Sequence, residues 1–426
     1  LALDSYKRAI KINPNYAEVY NNISLSFKKI KKIDEAINYC KKALKINPNF
    51  FEAWDNLGNC FNDLNKLFAA INCYQQALKI NPSYFEALND LGVSYCNIGE
   101  MENAIYNCKK AISLNSGYIE GKSNLLTVLD YSNKIDFAFS LAKNIIRVND
   151  NFFDIKARIQ LAIYSFLDND FEQSKKYLLA ANKVHEKPFS EFINEKVYHK
   201  YLLKILNWHE HQSLESSNLQ NNETIYVIGE SHSLSCHGLR FKSLNRNLLC
   251  KSLLIMGCKQ WHLGNSSRNQ YKYKFERIFL SLPNKSKLLL AIGEIDCRLD
   301  SGLVNHIKKH PSKDIKKLID VTIENYLNYI FKMNISRNHD IIIQGVPCPN
   351  NYIETFSKEE QLRLIEVIKI FNDHLRRRSK KKGFSFLDVY KLTDNGQGLS
   401  NKVWHIDDFH LSPDAMLEAW CNHVII

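Results

Sequence analysis

The amino-acid sequence predicts an α-helical solenoid followed by an α/β domain with a central parallel five-stranded sheet. Two observations support this prediction. Prolines recur at Pro14, Pro48 and Pro82, a step of 34 residues, and a fixed step of this length is typical of stacked helix pairs. In the second half, five short apolar runs alternate with helical patterns, which is typical of a parallel sheet covered by helices on both faces.

The composition is that of an ordinary folded chain, with 45% hydrophobic and 24% charged residues among 426. This length predicts two or three domains. The longest apolar run covers residues 288–292, whereas roughly 20 residues are needed to span a bilayer, so we expect no transmembrane segment. The net charge of +12 is better explained by a Lys-rich solvated surface than by nucleic acid, because no nucleic-acid motif accompanies it.

The cysteines and histidines limit the chemistry that the sequence allows. Eleven cysteines are scattered without a Cys-x-x-Cys pair, which argues for a reducing compartment and a cytoplasmic protein. The chain begins with Leu1 inside a repeat, so we expect further repeats before it. Neither a metal nor another cofactor is expected, because the histidines match no ligand spacing; they include His232, His237, His262, His405 and His410.

The N-terminal half repeats aromatic and small residues at fixed offsets. The second copy carries Trp54, Leu57, Gly58, Phe61, Ala70, Tyr74, Ala77 and Pro82. These residues resemble the tetratricopeptide (TPR) pattern. The resemblance implies two antiparallel helices per repeat and a concave surface that binds a protein partner. Residues 1–212 are predicted as this array, with degenerate last units and a helical connector, and a polar linker is predicted at 213–223.

The predicted α/β domain covers residues 224–426. Residues 224–228 form an apolar, β-branched run typical of a buried parallel strand. Gly229 ends this run and Ser231 follows, at the strand end where ligands bind in open α/β sheets. A serine in that position can act as a nucleophile if a base reaches it. The candidate base is His410, with Asp407 three residues before it.

Two motifs of this half carry a second resemblance. Gly-Glu-Ser-His-Ser at 229–233 resembles the opening motif of the SGNH (GDSL-like) hydrolases, and Asp-x-x-His at 407–410 resembles their closing motif. The resemblance implies a flavodoxin-like three-layer fold. It also implies a serine-dependent esterase or O-acyltransferase that acts on an O-acyl group, with a carbohydrate as the favoured carrier. It assigns catalytic roles to Ser231, His410 and Asp407.

Two positions depart from the family pattern. Glu230 stands where the family has Asp, and Ile295 replaces the oxyanion asparagine. An isoleucine cannot donate a hydrogen bond, and loss of one such donor costs about a hundredfold in rate. The resemblance then leaves the backbone amides of Ser231 and Gly257 as oxyanion donors, with Gly264 as second choice.

A replacement side chain is expected from Asn265 or Arg298. Arg298 could instead bind an acidic substrate together with the polar loop that holds Glu294 and Asp296, or form an ion pair with either of them. The rival interpretation of the whole chain is a non-catalytic TPR scaffold, whose SGNH-like domain binds a ligand without turnover. The Ile295 departure favours this rival.

Overall fold

The computed structural model describes residues 2–146, 151–182, 186, 193–211, 223–243, 246–299, 302–310, 312 and 314–425. The chain folds as two compact units. The N-terminal unit comprises residues 1–153 together with 267–273, and the C-terminal unit comprises residues 154–266 together with 274–426. All of the predicted linker at 213–223 except residue 223 lies outside the described residues.

The N-terminal unit consists of consecutive helices separated by short turns. The first helices of successive pairs begin at residues 17, 51, 85 and 119, and the second helices begin at 33, 67, 101 and 135. The step of 34 residues therefore continues beyond residue 116, where the sequence pattern fades. The helices are α1 (Ala2–Ile12), α2 (Ala17–Lys29), α3 (Ile33–Ile46), α4 (Phe51–Asp63), α5 (Leu67–Ile80), α6 (Phe85–Asn97), α7 (Met101–Leu114), α8 (Ile119–Tyr131) and α9 (Ile135–Ile145).

Glycines let the paired helices approach closely. A Cβ atom at Gly58 would lie 2.6 Å from the ring of Tyr74, and one at Gly92 would lie 2.5 Å from the sulfur of Cys108. Cys40, Tyr74 and Cys108 share one repeat position and are completely buried, so this position fills the core of each repeat.

The C-terminal unit contains a sheet, the helices around it, and two 3₁₀ helices at Ser231–Cys236 and Asn351–Thr355. Its strands are β1 (Glu223–Gly229), β2 (Arg240–Ser243), β3 (Arg246–Leu254), β4 (Lys287–Ala291), β5 (Asp340–Gln344), β6 (Ser385–Leu387) and β7 (Val424–Ile425). Its helices are α10 (Asn151–Leu167), α11 (Phe171–Ala180), α12 (Ile193–His211), α13 (Gln260–Gly264), α14 (Gln270–Ser281), α15 (Glu294–Cys297), α16 (Leu303–Lys309), α17 (Ile315–Asn334), α18 (Lys358–Lys381), α19 (Val389–Thr393) and α20 (Pro413–Asn422).

The sheet has the strand order β2-β3-β1-β4-β5-β6-β7. The five central strands are parallel, and in the central register Val227 of β1 is flanked by Ser252 of β3 and Leu289 of β4. The edge strands β2 and β7 are antiparallel to their neighbours. The sheet is therefore mixed, with two edge strands that the prediction of five parallel strands omitted. Both edges are short, four and two residues, and carry little sequence signal.

The helices α10 to α12 belong to the C-terminal unit, apart from the first residues of α10. The structure thus divides the chain near residue 153, whereas the sequence predicted a repeat array up to residue 212. The reason lies in α12, whose buried Leu202 and Ile205 form one apolar core with Leu234 and Leu254. Of the described helices, none combines the length and apolar character that crossing a lipid bilayer requires.

Candidate active site

Ser231 lies at the carboxyl edge of the sheet, directly after the end of strand β1. A Cβ atom at Gly229 would lie 2.5 Å from the carbonyl oxygen of Ala291 in β4, so glycine permits this close approach. The Gly229 carbonyl accepts from the amide of Ile255 at 2.7 Å, and the Glu230 amide donates to Ala291 at 3.3 Å. Ser231 then opens a 3₁₀ helix beside the point where the strand order reverses between β1 and β4. Ligands bind at such points in doubly wound sheets.

The loop between residues 404 and 412 contains the other two candidate residues, Asp407 and His410. It is closed by backbone hydrogen bonds from Ile406 to His410 at 2.9 Å and from Ser412 to Trp404 at 2.8 Å. The Ser412 hydroxyl also caps α20, which begins with a proline. Within the loop, Asp407 Oδ1 accepts from the amides of residues 409 and 410 at 2.8 and 2.7 Å. These bonds hold the loop in one conformation.

The structure brings Ser231, His410 and Asp407 into one hydrogen-bonded chain. His410 Nδ1 lies 2.8 and 3.0 Å from the two carboxylate oxygens of Asp407, and His410 Nε2 lies 2.9 Å from Ser231 Oγ. Burial opposes the charge of Asp407, but His410 and two backbone amides lower its pKa well below the ordinary range. The aspartate is therefore ionised and can hold the imidazole with its Nδ1 proton toward the carboxylate.

A charged pair, Glu230 and His232, also lies beside this serine. Ser231 Oγ lies 2.6 Å from Glu230 Oε2, and Glu230 Oε1 lies 2.6 Å from His232 Nδ1. The remaining ring nitrogen of His232 contacts the Phe409 carbonyl at 3.0 Å. Burial disfavours both charges, but Glu230 raises the pKa of His232 to about 9, and His232 with the serine hydroxyl lowers that of Glu230 to about 2. Glu230 and His232 thus form a buried ion pair.

This ion pair bears on metal binding. In the described part of the chain, Glu230, His232 and Glu294 form the group whose possible ligand atoms lie within 4.8 Å of one another. A protonated His232 donates through both ring nitrogens, so a metal would have to displace one of these protons before His232 could bind it. Glu294 is bound by Arg298. Protein contacts therefore already satisfy these three side chains.

The residues predicted to bind substrate have other partners. Arg298 Nε lies 2.9 and 2.8 Å from the two carboxylate oxygens of Glu294, so the ion-pair alternative is present in the structure. The buried carboxylate of Asp296 accepts from the amides of Gln260 and Trp261 at 2.7 and 3.2 Å. Asp296 thus binds the first amides of α13, and its role as a substrate-binding residue stays a prediction.

The residues predicted for the oxyanion site lie after β3. Gly257 has a φ of +69° in the turn after the strand, a conformation that favours glycine. Gly264 ends α13, and a Cβ atom there would lie 2.9 Å from the backbone nitrogen of Tyr326. Gly264 therefore allows α13 to approach α17, which explains the glycine without an oxyanion role. Asn265 follows as the C-cap residue of α13.

The sequence did not lead us to three residues that contact Ser231 or His410, namely Glu230, His232 and Tyr201. Glu230 and His232 stand inside the opening motif, so their proximity to Ser231 was a signal. Tyr201 comes from α12 and stacks on His410. Nothing in the sequence around Tyr201 indicates this contact, because it depends on how α12 packs.

The family models match the N-terminal part of the chain. Tetratricopeptide-repeat family models match residues 17–50, 39–72 and 58–99. No sequence among the curated proteins matches the chain. Among solved structures, MamA is 26% identical over 34% of this chain and 85% of its own length, with a TM-score of 0.32.

Two further solved structures are similar at lower identity. YrrB, described as a TPR protein with an unusual peptide-binding site, is 16% identical over 46% of this chain and 99% of its own, with a TM-score of 0.36. The pilF protein of Pseudomonas aeruginosa is 16% identical over 46% of this chain and 93% of its own, with a TM-score of 0.38.

The matched family models and the constant step of 34 residues agree on the class of the N-terminal unit. It is built of tetratricopeptide repeats, as the sequence predicted. Such repeats act as scaffolds for protein interaction and bind peptide partners along an extended surface.

Proposed function

We propose that the C-terminal unit is a serine-dependent esterase or O-acyltransferase of the SGNH (GDSL-like) type. The observation that supports this most is the chain of hydrogen bonds from Asp407 through His410 to Ser231. The fold is compatible with the proposal, because the central parallel strands follow the flavodoxin-like order. The opening and closing motifs of the family lie in the two loops that meet at this edge.

The proposed reaction begins with attack of Ser231 Oγ on an ester carbonyl, while its proton passes to His410 Nε2. The tetrahedral intermediate then collapses, the alkoxide leaves, and His410 returns the proton to it. Water or a sugar hydroxyl next attacks the acyl-serine, gives its proton to His410, and releases Ser231 with that proton restored. Asp407 holds the imidazole in the required tautomer. The two possible acceptors, water and a sugar hydroxyl, distinguish an esterase from an acyltransferase.

Glu230 affects the first step of this reaction. The Ser231 hydroxyl carries one proton but faces two acceptors, Glu230 at 2.6 Å and His410 at 2.9 Å. Because its low pKa makes Glu230 a weak base, we assign proton removal to His410. We assign to Glu230 the orientation of the hydroxyl.

The oxyanion that forms in this reaction requires donors in place of an asparagine at residue 295. We propose the amides of Ser231 and Gly257 for this role. The Ser231 amide opens a 3₁₀ helix, and the first amides of a helix have no intrahelical acceptor. Arg298 is the proposed additional source of positive potential, because its charge contributes to the low pKa of Glu230 beside the nucleophile. Asn265 is the second choice.

The loop of residues 404–412 is called the catalytic loop here. A groove beside it supports a carbohydrate as the substrate. It has a volume of about 690 Å³ and is lined by Trp208, Trp404, Lys204, Asn207 and Asp414 among other residues. Two indole rings with polar side chains around them provide apolar faces and hydrogen-bond partners for a sugar. Trp404 belongs to the same loop as Asp407 and His410, although the groove lining includes none of the three proposed catalytic residues.

The groove predicts that Trp404→Ala weakens binding of acetylated xylan oligosaccharides about tenfold, which corresponds to about 1.4 kcal/mol. Isothermal titration calorimetry on the full chain would measure this. Trp261→Ala is the matched control, because Trp261 is 48% exposed on α13 and does not line the groove. Equal affinities in the wild type and both variants would remove the groove from the proposed substrate site.

The second candidate function is a TPR scaffold whose C-terminal unit binds a ligand without turnover. Ile295 favours this alternative, since it removes the usual side-chain donor. In either case we propose that the concave surface of the repeats docks a protein partner.

A covalent serine probe separates the two functions. The full chain should be labelled by a fluorophosphonate, which reacts with activated serines, and Ser231→Ala should abolish labelling. Ser233→Ala is the control and should be labelled like the wild type, because its hydroxyl donates to the Glu230 carbonyl at 2.8 Å and has no proposed chemical role. Absence of labelling in the wild type would favour the scaffold. Labelling that persists in Ser231→Ala would locate the nucleophile elsewhere.

A further inference from the structure

Helix α12 places an aromatic ring against the imidazole of His410. The ring centres of Tyr201 and His410 lie 3.8 Å apart with an angle of 13° between the planes. Both side chains are completely buried. The ring of His232 lies near the same imidazole, at 4.8 Å and 42°. A parallel face contact at this distance restricts rotation of the imidazole and excludes water from the stacked face.

The hydroxyl end of Tyr201 is also fixed. It contacts the hydroxyl of Ser235, and Ser235 Oγ lies 2.5 Å from the Leu411 carbonyl oxygen. A carbonyl only accepts, and a hydroxyl has one proton to give, so Ser235 donates to Leu411 and accepts from Tyr201. Burial raises the pKa of Tyr201 well above its ordinary value, which keeps the phenol protonated as this donor. Leu411 directly follows His410.

The contacts of α12 with the catalytic loop lie on one helical face. Tyr201, Lys204 and Trp208 are spaced i, i+3 and i+7, which places them on one side of a helix. The Lys204 ammonium donates to the Ile406 carbonyl, and the Trp208 indole donates to Asp414 at 2.9 Å. One face of α12 therefore contacts the chain before, at and after the proposed catalytic histidine.

We propose that Tyr201 is a positioning residue for His410, which holds the plane of the imidazole and stabilises the imidazolium through the face of its ring. The inference rests on the proposed function, in which His410 takes the proton of Ser231. An aromatic face attracts a cation, and the attraction is largest where water is excluded. The stack therefore favours the charged form of His410 that accompanies the tetrahedral intermediate.

The first test uses steady-state hydrolysis of p-nitrophenyl acetate by the full chain. Tyr201→Leu, which removes the ring, should lower kcat about tenfold or more and change KM less than twofold. Tyr201→Phe keeps the stack and should restore kcat to within about threefold of the wild type. Phe279→Leu is the matched control, because Phe279 is completely buried and contacts His339 edge-on in the same unit. This control should lose stability with little change in kcat.

The second test does not depend on turnover. In the downfield region of the proton NMR spectrum, the Nδ1 proton of His410 in its bond to Asp407 gives a separate signal. The ring current of Tyr201 should shift this signal in the wild type and in Tyr201→Phe, and the shift should be absent in Tyr201→Leu. Tyr201→Met replaces Tyr201→Leu if the latter does not fold.

The outcomes separate the two proposals. An unchanged His410 signal in Tyr201→Leu, or an unchanged kcat, would overturn the role of Tyr201. A changed signal in a protein that turns over no ester would retain the positioning role and would overturn the proposed function instead.

Discussion

Asp407→Asn should lower kcat about ten-thousand-fold with little change in KM. Asp407 accepts backbone amides through Oδ1, and both of its oxygens face His410 Nδ1. An asparagine can still accept the amides, but its NH₂ group would turn toward Nδ1. The imidazole would then carry its proton on Nε2 and could not accept the proton of Ser231. Loss of the correct tautomer has an effect of this size in serine hydrolases. Steady-state kinetics with p-nitrophenyl acetate would measure it.

The matched control for this variant is Asp388→Asn. Asp388 also accepts a backbone amide within a loop, from Lys391 at 3.0 Å, where it caps α19. Its backbone amide donates to the carbonyl of His423 at 3.0 Å, and the substitution leaves this backbone bond in place. The variant should therefore keep wild-type kcat. If Asp407→Asn turns over ester as fast as the wild type, His410 does not act together with Asp407 and the proposed mechanism is wrong.

The second large effect is a loss of stability with rising pH that depends on His232. Its pKa of about 9 in the folded chain exceeds the ordinary value near 6.5. The folded state therefore keeps a proton that the unfolded state releases. The resulting stability is complete below pH 6.5 and is lost as the pH rises through 9. From this shift, we expect the free energy of unfolding to fall by about 3 kcal/mol across this range.

Three other histidines act in a different pH range. Burial lowers the pKa of His209, His237 and His405 to about 4. Because of these three histidines, the free energy of unfolding rises between pH 4 and about pH 6.5, and above pH 6.5 they no longer change it. The proton of Glu230 is lost at still lower pH, because its pKa is about 2. Among these groups, His232 explains a decline that begins near pH 6.5. The buried cysteines of the same unit, whose pKa burial raises above the ordinary value, add to the decline at higher pH, where the unfolded thiols ionise.

Urea unfolding of the full chain at pH 6 and pH 8, below the range in which unfolded cysteines ionise, would measure the decline. His232→Gln should remove most of it, because glutamine does not titrate. His237→Gln should retain it, since His237 is equally buried but is neutral over this range. A decline of the same size in His232→Gln would show that the proton is held elsewhere.

The sequence predicted the repeats and the five central parallel strands because each has a local signal. The 34-residue step is visible in Pro14, Pro48 and Pro82, and the five central strands are apolar runs. The motifs also predicted that Ser231, Asp407 and His410 meet, and the structure brings them into hydrogen-bond contact. Their catalytic role remains a prediction.

Other features had no local signal. The helix α12 has a spacing that resembles any amphipathic helix, so its attachment to the α/β core was not predictable from residues 193–211 alone. The carboxylate of Asp296 accepts a hydrogen bond from the amide of Gln260, which lies 36 residues earlier in the sequence. The antiparallel edge strands are too short to produce an alternating pattern.

The attachment of α12 determines where this chain can be divided. A polypeptide that starts at Thr224, at the beginning of the motif-bearing region, would lack Tyr201 and the apolar side chains that cover Leu234 and Leu254. Its uncovered surface would favour association with other molecules. The compact unit starts instead near Asp154. A shuffled or transplanted version of this domain would therefore have to carry about 70 residues that show none of its sequence motifs, as expected when compact units rather than motifs define domain boundaries.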